Sequence, residues 1–186
     1  MNINTLFVIV GATGVGKTDL SISLAEKLGC SIISCDSRQI YKELKIGAAS
    51  PSYEQLQKVK HYFIGSRSIE SHYSAGKYEI DALPIIENEI KKNGCALLVG
   101  GSMLYIDAVC KGIDDIPDIL PETRLYMQDF FQKEGIEGMR LLLKTLDRQH
   151  YREVDLKNAK RMQHALEVCM QTGKPFSELR KNTAKT

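Results

Sequence analysis

The eight residues Gly11, Ala12, Thr13, Gly14, Val15, Gly16, Lys17 and Thr18 constrain this chain more than any other segment. They fit the spacing G-x-x-x-x-G-K-S/T, a pattern that carries weight only between a strand and a helix. Both flanks supply that context. Leu6 to Val10 (LFVIV) is a continuous apolar run rich in β-branched residues, as expected for a strand buried on both faces. After the loop, Leu20, Leu24 and Leu28 recur at helical spacing, and Gly29 is placed to end the helix. In such a loop the glycines let successive backbone N–H groups converge on phosphate oxygens. The helix that follows adds the positive end of its dipole. Lys17 brings a point charge to the terminal phosphate, and Thr18 offers a hydroxyl to Mg²⁺. All eight residues are therefore expected to bind a di- or triphosphate, with Thr18 as the metal ligand.

The strand–loop–helix unit recurs downstream. Ser31 to Ser34 (SIIS), His61 to Ile64 and Ala96 to Val99 (ALLV) read as further strands. Residues 78–93 read as a helix ended by Gly94, with Pro84 either opening its main part or kinking it. Another helix runs from beyond Gly101 to about Lys111, where Gly112 can stop it. This alternation predicts an α/β fold, a P-loop NTPase-like parallel sheet flanked by helices, over residues 1–112. Beyond Gly112 the pattern changes. A Pro- and Asp-rich linker (IDDIPDILP, 113–121) leads to helical patterns over 122–134, 137–146 and 156–172, the last with Asp155 as expected N-cap and Gly173 as its stop. Residues 113–186 are thus expected to form a mainly helical inserted subdomain, with a frayed end from Arg180 to Thr186.

Composition bounds the setting. Apolar residues make up 43% and charged residues 26%, enough of each for a solvated domain with a buried core. No apolar run approaches the roughly 18 residues of a membrane span, and Leu6 to Val10 is too short for a signal-peptide core. The absence of both signals points to the cytoplasm, and the odd count of five cysteines, with no C-x-x-C pair, favours reduced thiols. A monomer is expected. Cys35 reads as a small buried residue. The charge is uneven: from Arg148 to Thr186 there are 9 Lys or Arg against 4 Asp or Glu. That excess suits either a solvated helix face or a polyanion partner.

A phosphate loop does not name a reaction. Nucleotide-hydrolysing proteins of this type carry an Asp at the end of a second apolar strand to hold Mg²⁺. Here ALLV runs into Gly100, Gly101 and Ser102, and the acid that follows a strand is Asp36, after SIIS and Cys35. In an open parallel sheet, ligands sit beyond the carboxyl ends of the strands. Three segments leave that edge: Gly11 to Thr18, Asp36 to Gln39, and Gly101 with Ser102. Spacing alone leaves Asp36 open between a turn residue, a common role for Asp-Ser, and a functional carboxylate.

The chain resembles the tRNA dimethylallyltransferases. Gly11 to Thr18 is similar to their G-x-T-x-x-G-K-T loop. Ser34, Cys35, Asp36, Ser37, Arg38, Gln39, Ile40 and Tyr41 resemble their S-x-D-S-x-Q-I/V-Y segment. Ile46 to Pro51 is similar to I-G-T-A-K-P, and His61 with Tyr73 to Ala75 fits the pattern that follows. Leu98 to Tyr105 resembles L-V-G-G-T-x-L-Y, with Ser102 for the usual Thr. Asn158, Arg161 and Ala165 to Val168 resemble N-D-x-x-R-x-x-R-A-L-E-V, with His164 in place of the second Arg, so that a fixed charge becomes a titratable one. The resemblance implies that the loop holds the diphosphate of dimethylallyl diphosphate, with Mg²⁺ at Thr18. It implies Asp36, Lys17 and Ser102 as catalytic residues, Asp36 being the general base for N6 of an adenine in the tRNA anticodon loop (position 37). It implies tRNA contacts from Asp36, Ser37, Arg38, Gln39, Ser102, Arg124, Lys160, Arg161, Met162, Gln163 and His164. Family members continue well past the equivalent of Leu179, so a C-terminally short form is expected.

Other readings have distinct signatures. A P-loop small-molecule kinase would turn over ATP with a small acceptor, and the missing acid after ALLV argues against it. An adenosine-phosphate prenyltransferase would modify free AMP, and the basic helical end argues against it. A non-catalytic binding module would bind saturably and give no product.

Overall fold

The computed structural model describes residues 4–71, 73–114 and 116–180; residues 181–186 of the expected frayed end lie outside them. The chain divides into two compact units between Ile113 and Asp114.

In the first unit, β1 (Thr5–Val10) leads through the Gly-rich loop into α1 (Lys17–Leu28), then β2 (Ile32–Ser34), α2 (Tyr53–Lys58), β3 (His61–Tyr62), α3 (Ala75–Asn93), β4 (Cys95–Gly100) and α4 (Met103–Lys111). The strands form one parallel sheet in the order β1-β4-β2-β3. The register pairs Val10 with Gly100 and Ser34 with Val99, so the ends of β1, β4 and β2 come out level on the carboxyl edge.

Both faces of β4 are buried, and period-two alternation splits the sheet residues between two cores. Ile33, Ala96 and Leu98 pack with Tyr78 and Ala82 of α3 and Tyr105 of α4. Ile32, Leu97 and Val99 pack against Ile22 and Ala25 of α1. Tyr78 is the centre of the first core. It is fully buried, stacks on Tyr105 at 4.4 Å, meets Phe63 at 5.0 Å, and donates its hydroxyl to the Ser34 carbonyl at 2.8 Å. The hydroxyl thus finds the partner that a buried phenol requires.

Several expectations are corrected. β1 is not buried on both faces: Phe7, Val8 and Val10 are 37–49% exposed, because among the described residues β1 is an edge strand paired only with β4. The buried stripe of α1 is Ser21, Ile22 and Ala25, and Leu20 points to solvent. β3 stops at Tyr62, two residues early, because Phe63 takes a left-handed conformation (φ 62°) that no strand continues. α3 begins at Ala75, capped by the Ser74 hydroxyl accepting from the Lys77 amide, and it runs unbroken through Pro84 to Gly94.

The second unit is helical: α5 (Pro121–Leu146), α6 (Arg148–Glu153), α7 (Ala159–Thr172) and α8 (Phe176–Leu179). The two expected helices before residue 147 join end to end in α5 across a break at Gly135 (φ 63°, ψ −163°), a backbone that glycine tolerates. α6 was not anticipated, being short and polar; Asp147 starts it by accepting from the His150 amide at 2.8 Å. The cap of α7 is Asn158, not Asp155, whose carboxylate accepts from the Lys157 amide instead. Met127, Met139, Leu143, Met162 and Leu166 are fully buried in this unit's core. Among the described residues no helix is long and apolar enough to cross a membrane.

Candidate active site

The loop after β1 turns on Gly14 (φ 83°) and Gly16 (φ 87°), both in the left-handed region where a side chain would be strained. The chain then enters α1 at Lys17, so the helix's first amides, which lack intrahelical partners, open at the loop. The Lys17 ammonium donates to the Ala12 carbonyl at 2.6 Å, folding back over the loop. The Thr18 hydroxyl makes no hydrogen bond among the described residues.

Asp36 leaves the adjacent strand end. Its Oδ1 accepts from the amides of Arg38 (2.9 Å) and Gln39 (3.3 Å), which closes a tight turn and fixes the carboxylate. Among the described residues none donates to Oδ2. The turn role and the functional role left open by spacing are thus compatible: one oxygen builds the turn and the other stays available. Close approach of β4 to β2 sets this position. A Cβ on Gly100 would lie 2.6 Å from the Cys35 carbonyl carbon and oxygen. Cys35 itself is buried and free, and burial, helped by the Asp36 charge, pushes its thiol up to about 12. It is a packing residue.

Thr13, Gly14, Gly16, Lys17, Thr18 and Asp36 line a single cavity of about 260 Å³. The phosphate loop and the carboxylate therefore face one space. Gln39 also lines it, but its amide is committed: Nε2 donates to the carbonyls of Ala48 and Ala49, and the Ser34 hydroxyl donates to Oε1. Ser102 sits at the start of α4, where its hydroxyl accepts from the Ser37 amide at 2.8 Å and donates to the Ser37 hydroxyl at 3.0 Å. It braces the Asp36 turn and is not among the cavity's lining residues. Ser37 and Arg38 are exposed beside it.

In the second unit, Lys160 and Arg161 are exposed on α7, and Arg124 is partly buried on α5. Gln163 donates to Glu167, and the exposed His164 pairs with Glu167 at 4.0 Å and lies edge-on to Phe176. Partial desolvation of the His164 ring, opposed by the Glu167 charge, holds its imidazole below the usual range. Met162 is a correction: it is fully buried among Met139, Leu143 and Leu166, so its side chain packs the unit and has no surface to offer a nucleic acid.

The first unit's sheet edge has a P-loop NTPase-like arrangement in which the carboxylate stands at the end of β2 instead of β4. The IPP transferase family model matches residues 39–186. The chain belongs to the IPP transferase family. It is 50% identical over 182 residues to tRNA dimethylallyltransferase 1 of Porphyromonas gingivalis, covering 98% of this chain and 61% of that protein. It is 49% identical to tRNA dimethylallyltransferase 1 of Bacteroides fragilis, over 97% of this chain and 60% of the relative. The chain thus spans about three fifths of the length of these curated relatives. The crystal structure of the full-length tRNA isopentenylpyrophosphate transferase from Bacillus halodurans superposes with a TM-score of 0.57 at 30% identity, over 92% of this chain and 57% of that one. A eukaryotic dimethylallyltransferase captured acting on tRNA shares the fold, with a TM-score of 0.74 at 24% identity over 97% of this chain and 46% of that one.

The cavity also takes in residues that sequence reasoning did not assign to it: Asp19, Pro51, Gln55, His61 and Ile64. Gln55 bridges α2 to α1 by donating to Asp19 at 2.8 Å. His61 is held by its Nδ1 against the Val59 carbonyl at 2.8 Å, and burial lowers its basicity. The resemblance at Ile46 to Pro51 pointed to this loop, but neither spacing nor residue type marks Gln55 or Ile64 as facing the phosphate loop.

Proposed function

We propose that the chain carries the donor site and the base of a tRNA dimethylallyltransferase. It transfers a dimethylallyl group from dimethylallyl diphosphate to N6 of an anticodon-loop adenine, at position 37. The observation that carries this reading is the sharing of one cavity by Asp36 and by Thr13, Gly14, Gly16, Lys17 and Thr18 of the loop, whose Gly11, Ala12 and Val15 do not line it. The loop amides and Lys17 hold the diphosphate and take up the charge that builds as it leaves. The adenine N6 attacks the allylic carbon, the carbon–oxygen bond to diphosphate breaks, and the N6 proton passes to Asp36. An adenine in a single-stranded loop can leave its stack to reach such a crevice. Ser37 and Arg38 beside the cavity, and Arg124, Lys160, Arg161, Gln163 and His164 in the helical unit, are the proposed tRNA contacts, the basic groups meeting phosphates. Ser102 and Gln39 act by holding the Asp36 turn and the loop beyond it.

Mg²⁺ suits this site as a cation shared with the substrate. Among the described residues no group of three His, Cys, Asp or Glu side chains could hold a metal. The Thr18 hydroxyl beside Lys17 would supply one oxygen, with diphosphate oxygens and water supplying the rest, as Mg²⁺ at phosphates prefers. Bound there, the ion adds positive charge against the leaving diphosphate. The protein is proposed to work as a cytoplasmic monomer.

The test is incubation with tRNA, Mg²⁺ and labelled dimethylallyl diphosphate, followed by nucleoside analysis. Asp36→Ala is expected to slow transfer by about 10²–10⁴-fold while diphosphate affinity stays near that of the parent. Normal transfer by Asp36→Ala removes the proposed base. Saturable diphosphate binding with no product at any concentration removes the transferase reading for this chain.

A further inference from the structure

A second cavity, of about 520 Å³, lies against the first and is lined by Ile46, Tyr53 and Leu56 among others. Three residues line both spaces: Ala49, Pro51 and Ile64. They form a common wall, apolar on each side, between the phosphate-loop cavity and an apolar cleft. Two features show that the fold holds this wall in place against a local cost. Ala49 sits in the left-handed region (φ 46°), and so does Phe63 (φ 62°), the residue directly before Ile64. Left-handed backbone is uncommon for any residue but glycine and is an outlier for a bulky one, so it persists only where surrounding contacts enforce it. Those contacts are present. Gln39 Nε2 clamps the Ala48 and Ala49 carbonyls, and the Phe63 ring packs on the buried Tyr78. The Phe63 conformation ends β3 and sets where Ile64 goes.

We propose that Ile64, with Pro51 and Ala49, is the chain-length determinant of this enzyme: the wall stops the allylic tail at five carbons and excludes donors with a ten-carbon chain. The inference rests on the donor-site reading above. With the diphosphate on the Gly11–Thr18 loop, a short tail fits inside the first cavity. A longer tail has to cross the wall into the cleft lined by Tyr53 and Leu56.

Calorimetric binding tests this without requiring turnover. The probes are inorganic diphosphate and the unreactive thiolodiphosphates of the dimethylallyl and geranyl groups, each with Mg²⁺. In Ile64→Ala the geranyl-to-dimethylallyl affinity ratio is expected to rise by about tenfold or more, the scale at which apolar pockets discriminate chain carbons. Ile64→Val, which perturbs folding least, is expected to shift the ratio the same way by less. Adding Leu56→Trp to Ile64→Ala narrows the cleft and is expected to reduce the gain. An unchanged ratio in folded variants that still bind inorganic diphosphate overturns the wall alone, as does a gain that Leu56→Trp leaves intact. Failure of the parent protein to bind inorganic diphosphate overturns the donor site and the wall together.

Discussion

Gly100→Ala tests how the sheet positions the carboxylate. The added methyl would stand 2.6 Å from both the carbonyl carbon and the oxygen of Cys35 and 2.8 Å from its sulfur, where ordinary contacts are 3.4–4 Å. Two of these three atoms are backbone, so no rotamer change relieves the clash. β2 has to move away from β4, which stretches the bond from the Cys35 amide to the Val99 carbonyl (2.8 Å) and carries Asp36 with it. Overpacking of this kind costs about 1–3 kcal/mol. Because the chain has two units, a single melting curve mixes their transitions, and local amide exchange is the better assay. Protection of the Ile33–Cys35 amides is expected to fall by about 5- to 150-fold, together with weaker binding of inorganic diphosphate. Gly94→Ala is the control. It places a residue at φ 75° with nothing within 4 Å, at the opposite end of β4, and strains the backbone without crowding the site. It is expected to cost about 1 kcal/mol and leave diphosphate affinity intact. If Gly100→Ala leaves both the protection and the affinity unchanged, the close approach does not set the carboxylate.

Three further outcomes follow from the packing. Tyr78→Phe leaves the Ser34 carbonyl without its 2.8 Å donor in the core, and chemical denaturation is expected to show a loss of about 1–3 kcal/mol in the first unit. Alkylation followed by peptide mapping is expected to label the exposed Cys110 first and to leave Cys35 unmodified, because burial keeps that thiol protonated to about 12. Burial lowers the basicity of His150 and His164, which flank Phe176 at 4.8 and 5.8 Å. Their depressed folded-state values mean that stability is full above the ordinary imidazole range, about pH 6.5, and is lost as pH falls through the folded values. Amide-exchange protection in α7 is expected to drop between pH 7 and 5, and a His150→Gln, His164→Gln variant is expected to flatten that dependence.

The parts of the fold that were legible in the sequence were those set by local backbone chemistry. Gly16, Gly29, Gly94 and Gly173 each stand where a helix starts or ends in a left-handed residue, and the flanks of the Gly11–Thr18 loop fixed strand and helix around it. What failed depended on neighbours distant in sequence. LFVIV reads as central, but its burial depends on which strands join it, and β1 has a partner on one side only. Leu24 and Leu28 flank the core that Ile22 and Ala25 form with the sheet, as their helical spacing suggests, whereas Leu20 turns to solvent. Of the candidate site, Lys17 was read from the loop, while topology placed Asp36 at the sheet edge and only the family resemblance gave it a role. Met162 was placed on a nucleic-acid surface by its neighbours in sequence, whereas helical periodicity turns it inward. Gln55 and Ile64 reach the cavity through the α2 bridge and the Phe63 turn, and neither has a sequence signature.

The open flank of β1 bears on how the sheet can grow. Its outward N–H and C=O groups are unmet by β4, and Phe7, Val8 and Val10 offer an apolar surface without a charge to discourage pairing. A parallel strand added there in the register that β4 keeps would end level with Val10. The residue following it would then come out beside the Gly11–Thr18 loop, on the side of β1 away from β2 and Asp36.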